Sequence, residues 1–279
     1  MRRAVTNNAP GATQVKHQPV VKESAFPEGI NLVDVDSFTA RYAFLLYGDN
    51  GSGKTTIGKT APNPLFITFT TENKGIISAR GVAAKAIPIE TWGQLEDAYW
   101  WLAKQRPFPF ESIVLDTVTA MQYVCMARLL KLEAIKSKCP DSGDLMKEVF
   151  PAYMSQRHYG MLADAMRDML LRFHELPCHL LMLAQKKDVQ DDDSGRILET
   201  VPNMSPGVAS TACNIANIIG YCYTKSAKGD KDPGGWFTYL APHDRFKTKN
   251  QGGILPGAIQ NFSVRDAINL IEKSGKGGK

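Results

Sequence analysis

Gly48-Asp49-Asn50-Gly51-Ser52-Gly53-Lys54-Thr55 is the stretch on which the reading of this chain turns. It fits G-x-x-x-x-G-K-[ST] at every fixed position. An apolar run from Tyr42 to Leu46 precedes it and reads as a buried strand. A helix is predicted from about Lys54. Strand, glycine-rich turn and helix, in that order, form the context in which such a loop wraps a phosphate chain. The glycines let backbone N–H groups close on phosphate oxygens with no Cβ in the way. A helix N-terminus adds the positive end of its dipole. Lys54 is expected to reach the β- and γ-phosphates of a nucleotide, and Thr55 to place its hydroxyl on Mg2+.

Such a site needs an acid at the end of a later strand. Glu111-Ser112-Ile113-Val114-Leu115-Asp116-Thr117 supplies one: apolar residues, then Asp116. An Asp there holds Mg2+ through water. Hydrolysis also needs a group that orients the attacking water. Phe66-Ile67-Thr68-Phe69-Thr70-Thr71-Glu72 sets Glu72 just past a strand. In a parallel sheet such strand ends share the edge that carries the phosphate loop, so Glu72 is the candidate.

Outward from these segments, strands alternate with helices. Leu65–Phe69, Ala86–Ile89, Ile113–Leu115 and His179–Leu183 read as strands. Thr91 reads as the N-cap of a helix carrying Leu95, Ala98, Tyr99 and Leu102 on one face, ended by Pro107 and Pro109. Further helices are predicted at about 119–136 and 155–175, the second with Leu162, Met166, Met169 and Phe173 at helical spacing, and a last one at about 264–272. Ile218–Tyr223 and Trp236–Leu240 read as two strands joined by a Lys/Asp/Gly turn. The pattern predicts an α/β fold with a mostly parallel central sheet flanked by helices and an added β-hairpin at one edge.

Composition is consistent with that. The chain has 279 residues, 43% hydrophobic and 22% charged, ordinary globular usage that excludes a wholly disordered or fibrous chain. No apolar run nears the roughly 18 residues of a membrane span. Met1-Arg2-Arg3 is basic, but Asn7, Asn8 and Pro10 stand where a signal peptide needs an apolar block, so neither secretion nor insertion is expected. The net charge of +5 permits a nucleic-acid partner without demanding one. Cys125, Cys139, Cys178, Cys213 and Cys222 form no C-x-x-C and read as free thiols.

With its three site segments in this order, the chain resembles the RecA-like P-loop ATPase core over about residues 40–256. More narrowly it looks like the phage-encoded, single-domain recombination proteins of the Sak single-strand annealing group. Four landmarks carry the resemblance: Gly53-Lys54-Thr55-Thr56, with Thr56 as the second Thr of the loop; Glu72; Leu181-Met182-Leu183-Ala184-Gln185, whose Gln185 stands at the family's γ-phosphate sensor; and Phe246-Lys247-Thr248-Lys249-Asn250, similar to the Lys-x-Lys element that reaches a neighbour's ATP. Residues 1–28 lack periodicity and read as a flexible arm, 274–279 reads as a flexible basic tail, and the resemblance makes 29–273 an ATPase domain.

It also implies ATP and Mg2+ as cofactors, single-stranded DNA as partner, and a homo-oligomeric ring or filament. A single-strand-binding protein is a further candidate partner, and the location implied is cytoplasmic, in a bacterial host cell. Lys186 to Ser205 corresponds to the family's mobile DNA loop, with Lys186, Lys187 and Arg196 as phosphate contacts. Asp188, Asp191, Asp192 and Asp193 in the same loop oppose that, unless only its ends touch DNA or the acids face elsewhere. Lys136–Arg157 is a second basic region. The function implied is ATP-dependent annealing or recombination. The alternatives are a RecA-fold helicase or loader, and a P-loop small-molecule kinase; no Arg-rich lid follows Asp116 to favour the kinase.

Overall fold

β1 (Ala43–Gly48) is buried along its whole length, as are β2 (Pro64–Phe69) and β4 (Ser112–Asp116). Continuous apolar strands of this kind need cover on both faces, and the fold supplies it. The computed structural model describes residues 40–69, 81, 84–136, 155–227 and 234–276. The described elements lie in one compact unit, Arg41–Lys279. The sheet order is β10-β8-β7-β1-β5-β4-β2-β3, where β3 is Lys85–Ile89, β5 His179–Gln190, β7 Ile218–Lys225, β8 Gly235–Tyr239 and β10 Ala258–Gln260. From β7 to β3 every pairing is parallel. β8 and β10 then add antiparallel at one edge, and the short β9 (Lys249–Asn250) pairs antiparallel with β7. The expected α/β class, parallel sheet and edge hairpin are what the chain forms.

Alternating side chains feed two cores. Leu45, Tyr47, Ile67, Leu115 and Met182 face one layer of helices. That layer holds α2 (Trp92–Ala103), α3 (Val118–Lys136), α4 (Gln156–His174) and α5 (Pro206–Ile215). Phe44, Leu46, Phe66, Val114 and Leu183 face the other, built by α1 (Lys54–Gly58) and α6 (Val264–Lys276). β3 closes the far edge with Pro88 in it, where a missing N–H does least harm. Thr91 caps α2 in a capping box: Gln94 N donates to Thr91 Oγ1, and Thr91 N donates to Gln94 Oε1.

Several elements differ from the sequence reading. β5 does not stop at Leu183 but runs to Gln190 and turns into β6 (Ile197–Pro202), with which it pairs antiparallel. The segment expected as a loop is therefore a hairpin. Its polar residues pair with one another, so it has no apolar run to reveal it. β9 and β10 are too short for a periodic signal. α6 continues to Lys276, three residues into the stretch expected as a tail. Residues 1–39, which include the expected arm at 1–28, and residues 137–154 lie outside the described residues. No helix among the described residues is long and apolar enough to cross a membrane.

The helical layer depends on large buried rings. Phe173 is fully buried in α4 and meets Tyr99 of α2 edge to face, with centroids 5.6 Å apart. Phe173→Ala is expected to lower stability by about 3–5 kcal/mol, read from the urea midpoint of wild type and variant.

Candidate functional site

The parallel register brings the site together before any side chain is considered. Gly48, the last residue of β1, is level with Gln185 on β5 and with Cys222 on β7. Asp116, the last residue of β4, is level with Leu183 on β5 and Thr68 on β2. The loop after β1 therefore leaves the same edge that carries Asp116 and Gln185. Gly48 passes so close to β7 that an added Cβ would stand 2.1 Å from Cys222 O. Gly53 turns the loop into α1 with φ 86°, a conformation that only glycine adopts without strain.

Lys54 is buried, and its loop answers it. Nζ donates to Gly48 O (3.0 Å), Asp49 O (2.7 Å) and Ser52 Oγ (3.3 Å). A buried ammonium needs such oxygens, so the cation holds the loop closed about itself. Thr55 Oγ1 donates to Asp116 Oδ2 at 2.8 Å, across the intervening strand β5. Asp116 is buried and is followed by a cis peptide bond to Thr117. A hydroxyl and a carboxylate converging beside a lysine-filled loop form a hard-oxygen pair that suits Mg2+ on a phosphate chain. Asp49, Asn50, Gly51 and Thr56 are exposed on the loop and the start of α1, and Ser52 is buried.

A second set of bonds runs from this loop into the β5–β6 hairpin. Lys186 Nζ pairs with Asp49 (3.2 Å) and Asp188 (3.0 Å). Burial pulls the Lys186 ammonium down, but the carboxylates of Asp188 and Asp49 outweigh it and the pKa is raised. Asp188 is lowered, first by the Thr200 hydroxyl and then, against burial, by Lys186. Thr200 is the junction. Its Oγ1 donates to Asp188 Oδ1 (2.7 Å) and its N to Arg245 O (2.6 Å). Its O accepts from Tyr47 OH (3.0 Å) and Lys247 N (3.4 Å). Tyr47 directly precedes Gly48. The Gln185 backbone is gripped too: N donates to Thr119 Oγ1 (3.0 Å) and O accepts from Asn203 N (2.7 Å).

Residues 40–251 match the model of an AAA domain family. The chain belongs to that family. AAA domains of this type are P-loop ATPases that generally use ATP and Mg2+, and the loop, Lys54, Thr55 and Asp116 present the donors and oxygens that would suit them. No curated protein matches the chain.

In this AAA domain the remaining candidates fall into two groups. Gln185 is half-buried at the same edge as the loop. Lys247, Lys249 and Lys187 lie elsewhere, lining a cleft of about 640 Å3 with Glu199, Cys213 and Asn214. Lys249 is level with Ile219 on β7, and its Nζ donates to Ala216 O at 2.6 Å. Arg196 is exposed at the start of β6. Glu72 lies outside the described residues. Of the four loop acids, Asp188 is taken up by Lys186 and Thr200, and Asp191 accepts from Ser194 N and Oγ inside the turn; Asp192 and Asp193 are exposed.

Sequence reasoning missed Thr200 and Trp236. Thr200 sits in a short strand, Ile197–Pro202, with nothing local to mark it as a junction. Trp236 Nε1 donates to Gly51 O at 3.2 Å from 185 residues away, a contact with no local signature. Because Lys54 closes the loop and would be its cation toward phosphate, Lys54→Ala is expected to abolish ATP turnover to background. Phosphate release at saturating ATP checks it, with circular dichroism confirming an intact fold.

Proposed function

We propose that this AAA domain is an ATP-dependent, single-stranded-DNA-binding protein of recombination that anneals strands and assembles on DNA as a ring or filament. The observation that carries the reading is the bonded path from the phosphate loop to the hairpin. Lys186 joins Asp49 to Asp188, and Thr200 joins Asp188 to Tyr47 and to the backbone of Lys247. Any displacement of the loop on filling is thereby felt by a projecting hairpin that carries exposed Lys187 and Arg196. The acids that argued against DNA in this segment are partly absorbed in local bonds, which supports the reading further.

In the proposed cycle, Lys54 and the loop N–H groups hold the triphosphate. Mg2+, held by Thr55 and Asp116, supplies charge neutralisation on the phosphate oxygens. Glu72 orients the attacking water, and Gln185 reports the γ-phosphate to the hairpin through the backbone bonds that fix it. The chemistry is positioning and charge stabilisation, as phosphoryl transfer requires. Lys247 and Lys249 of one protomer complete the site of the next. Lys249 is level with Ile219, three residues before Cys222 on β7, which sets it below the level of its own loop and supports a role toward a neighbour.

The test is ATP turnover against protein concentration, with and without single-stranded DNA, beside electron micrographs of the same mixture. The reading expects turnover per protomer to rise with concentration and with DNA, and rings or filaments to form. Lys247→Ala should remove that rise, since a cation supplied by a neighbour is worth roughly 10³–10⁵ in rate. A flat rate unchanged by Lys247→Ala would contradict supply from a neighbour. Unwinding of a forked duplex would favour a helicase-type motor instead.

A further inference from the structure

We propose that Trp236 receives the base of the nucleotide and gives the site its preference for a nucleoside triphosphate over a bare phosphate chain. The proposal rests on the nucleotide-binding half of the reading above and not on DNA. The Thr55 hydroxyl points to Asp116 on β4, beyond β5, which fixes the metal-bound phosphate end on that side of β1. A triphosphate lying along the loop therefore carries its nucleoside toward the opposite neighbour, β7, and the hairpin strand β8 beyond it. Trp236 is the second residue of β8.

The indole N–H donates to Gly51 O at 3.2 Å. Its Cδ1 and Cγ lie 3.1 and 3.5 Å from where a Cβ on Gly53 would be. One edge of the ring is thus fixed against the phosphate loop while the residue remains 53% exposed. Its backbone is held in place as well, since Asn261 N donates to Trp236 O at 2.9 Å. β8 is paired on both sides, with β7 and β10, so the anchored, half-open indole stands on a face of the sheet and forgoes burial unless something flat covers it. Every nucleobase has such a flat face, and stacking is tolerant of which base it is.

The same contacts allow a second role, bracing of the loop alone, and the experiment separates the two. Affinities for ATP and for inorganic tripolyphosphate, both with Mg2+ and without DNA, are measured by calorimetry on the full chain, on Trp236→Ala and on Trp236→Phe. The proposal expects wild type to prefer ATP. Trp236→Ala should lose about 10-fold or more in ATP affinity, the scale of one base–aromatic stack, with tripolyphosphate affinity unchanged within about twofold. Trp236→Phe should keep most of the ATP affinity. Equal losses for both ligands, or no loss for either, would overturn it. Quenching by acrylamide gives a readout that does not depend on the alanine variant. The Trp236 share of emission, obtained by subtracting the Trp236→Phe signal, should be shielded by ATP and not by tripolyphosphate; equal shielding would overturn the proposal.

Discussion

The hydrogen bond from Thr55 to Asp116, 2.8 Å long and spanning 61 residues, is the contact from which the site follows. It exists only because β1, β5 and β4 run parallel in register, so that their carboxyl ends fall at one edge. That register is in turn enforced by burial on both faces. A slip of one residue would move Leu45 and Tyr47 out of one core and Phe44 and Leu46 out of the other. Core packing and catalytic geometry are thus the same constraint seen from two ends of the strand. Lys54 adds the local part, by drawing loop oxygens around a buried cation.

Beyond the phosphate loop, the molecule invests its buried polar bonds in one direction. Tyr47, Asp188 and the Arg245–Lys247 segment meet at Thr200, and burial raises the pKa of the Tyr47 hydroxyl. Rings reinforce the junction: Phe246 stacks on Tyr221 and on His243, each with centroids 4.4 Å apart. Such satisfied networks in a low-dielectric setting are stiff. The network forms a stiff path from the phosphate loop to the hairpin.

Much of this was legible in the residues. The phosphate loop, the apolar runs of β1, β2 and β4, the Thr91 cap and the buried stripe of α4 all carry local signals, and each is where the pattern set it. The β5–β6 hairpin was not legible, because Lys186, Asp188 and Thr200 satisfy one another across the pair and leave no alternation of apolar and polar residues. Lys186, which the resemblance gave as a phosphate contact, is ion-paired to Asp49 and Asp188, a link with no local signature. Trp236 was unreadable as a site residue for a different reason: its partner, Gly51, is distant in sequence and contributes only a backbone oxygen. Local chemistry writes loops and caps into a sequence, whereas junctions made by long-range backbone bonds become visible only when the sheet is closed.

The central claim is that this loop, with Thr55 and Asp116, holds the phosphates of ATP together with Mg2+. Titration calorimetry of the purified chain with ATP, in the presence and absence of Mg2+, tests it most directly. The account predicts saturable heat at one nucleotide per chain that weakens sharply when the metal is withheld. No heat in the presence of both, or binding indifferent to Mg2+, would contradict it.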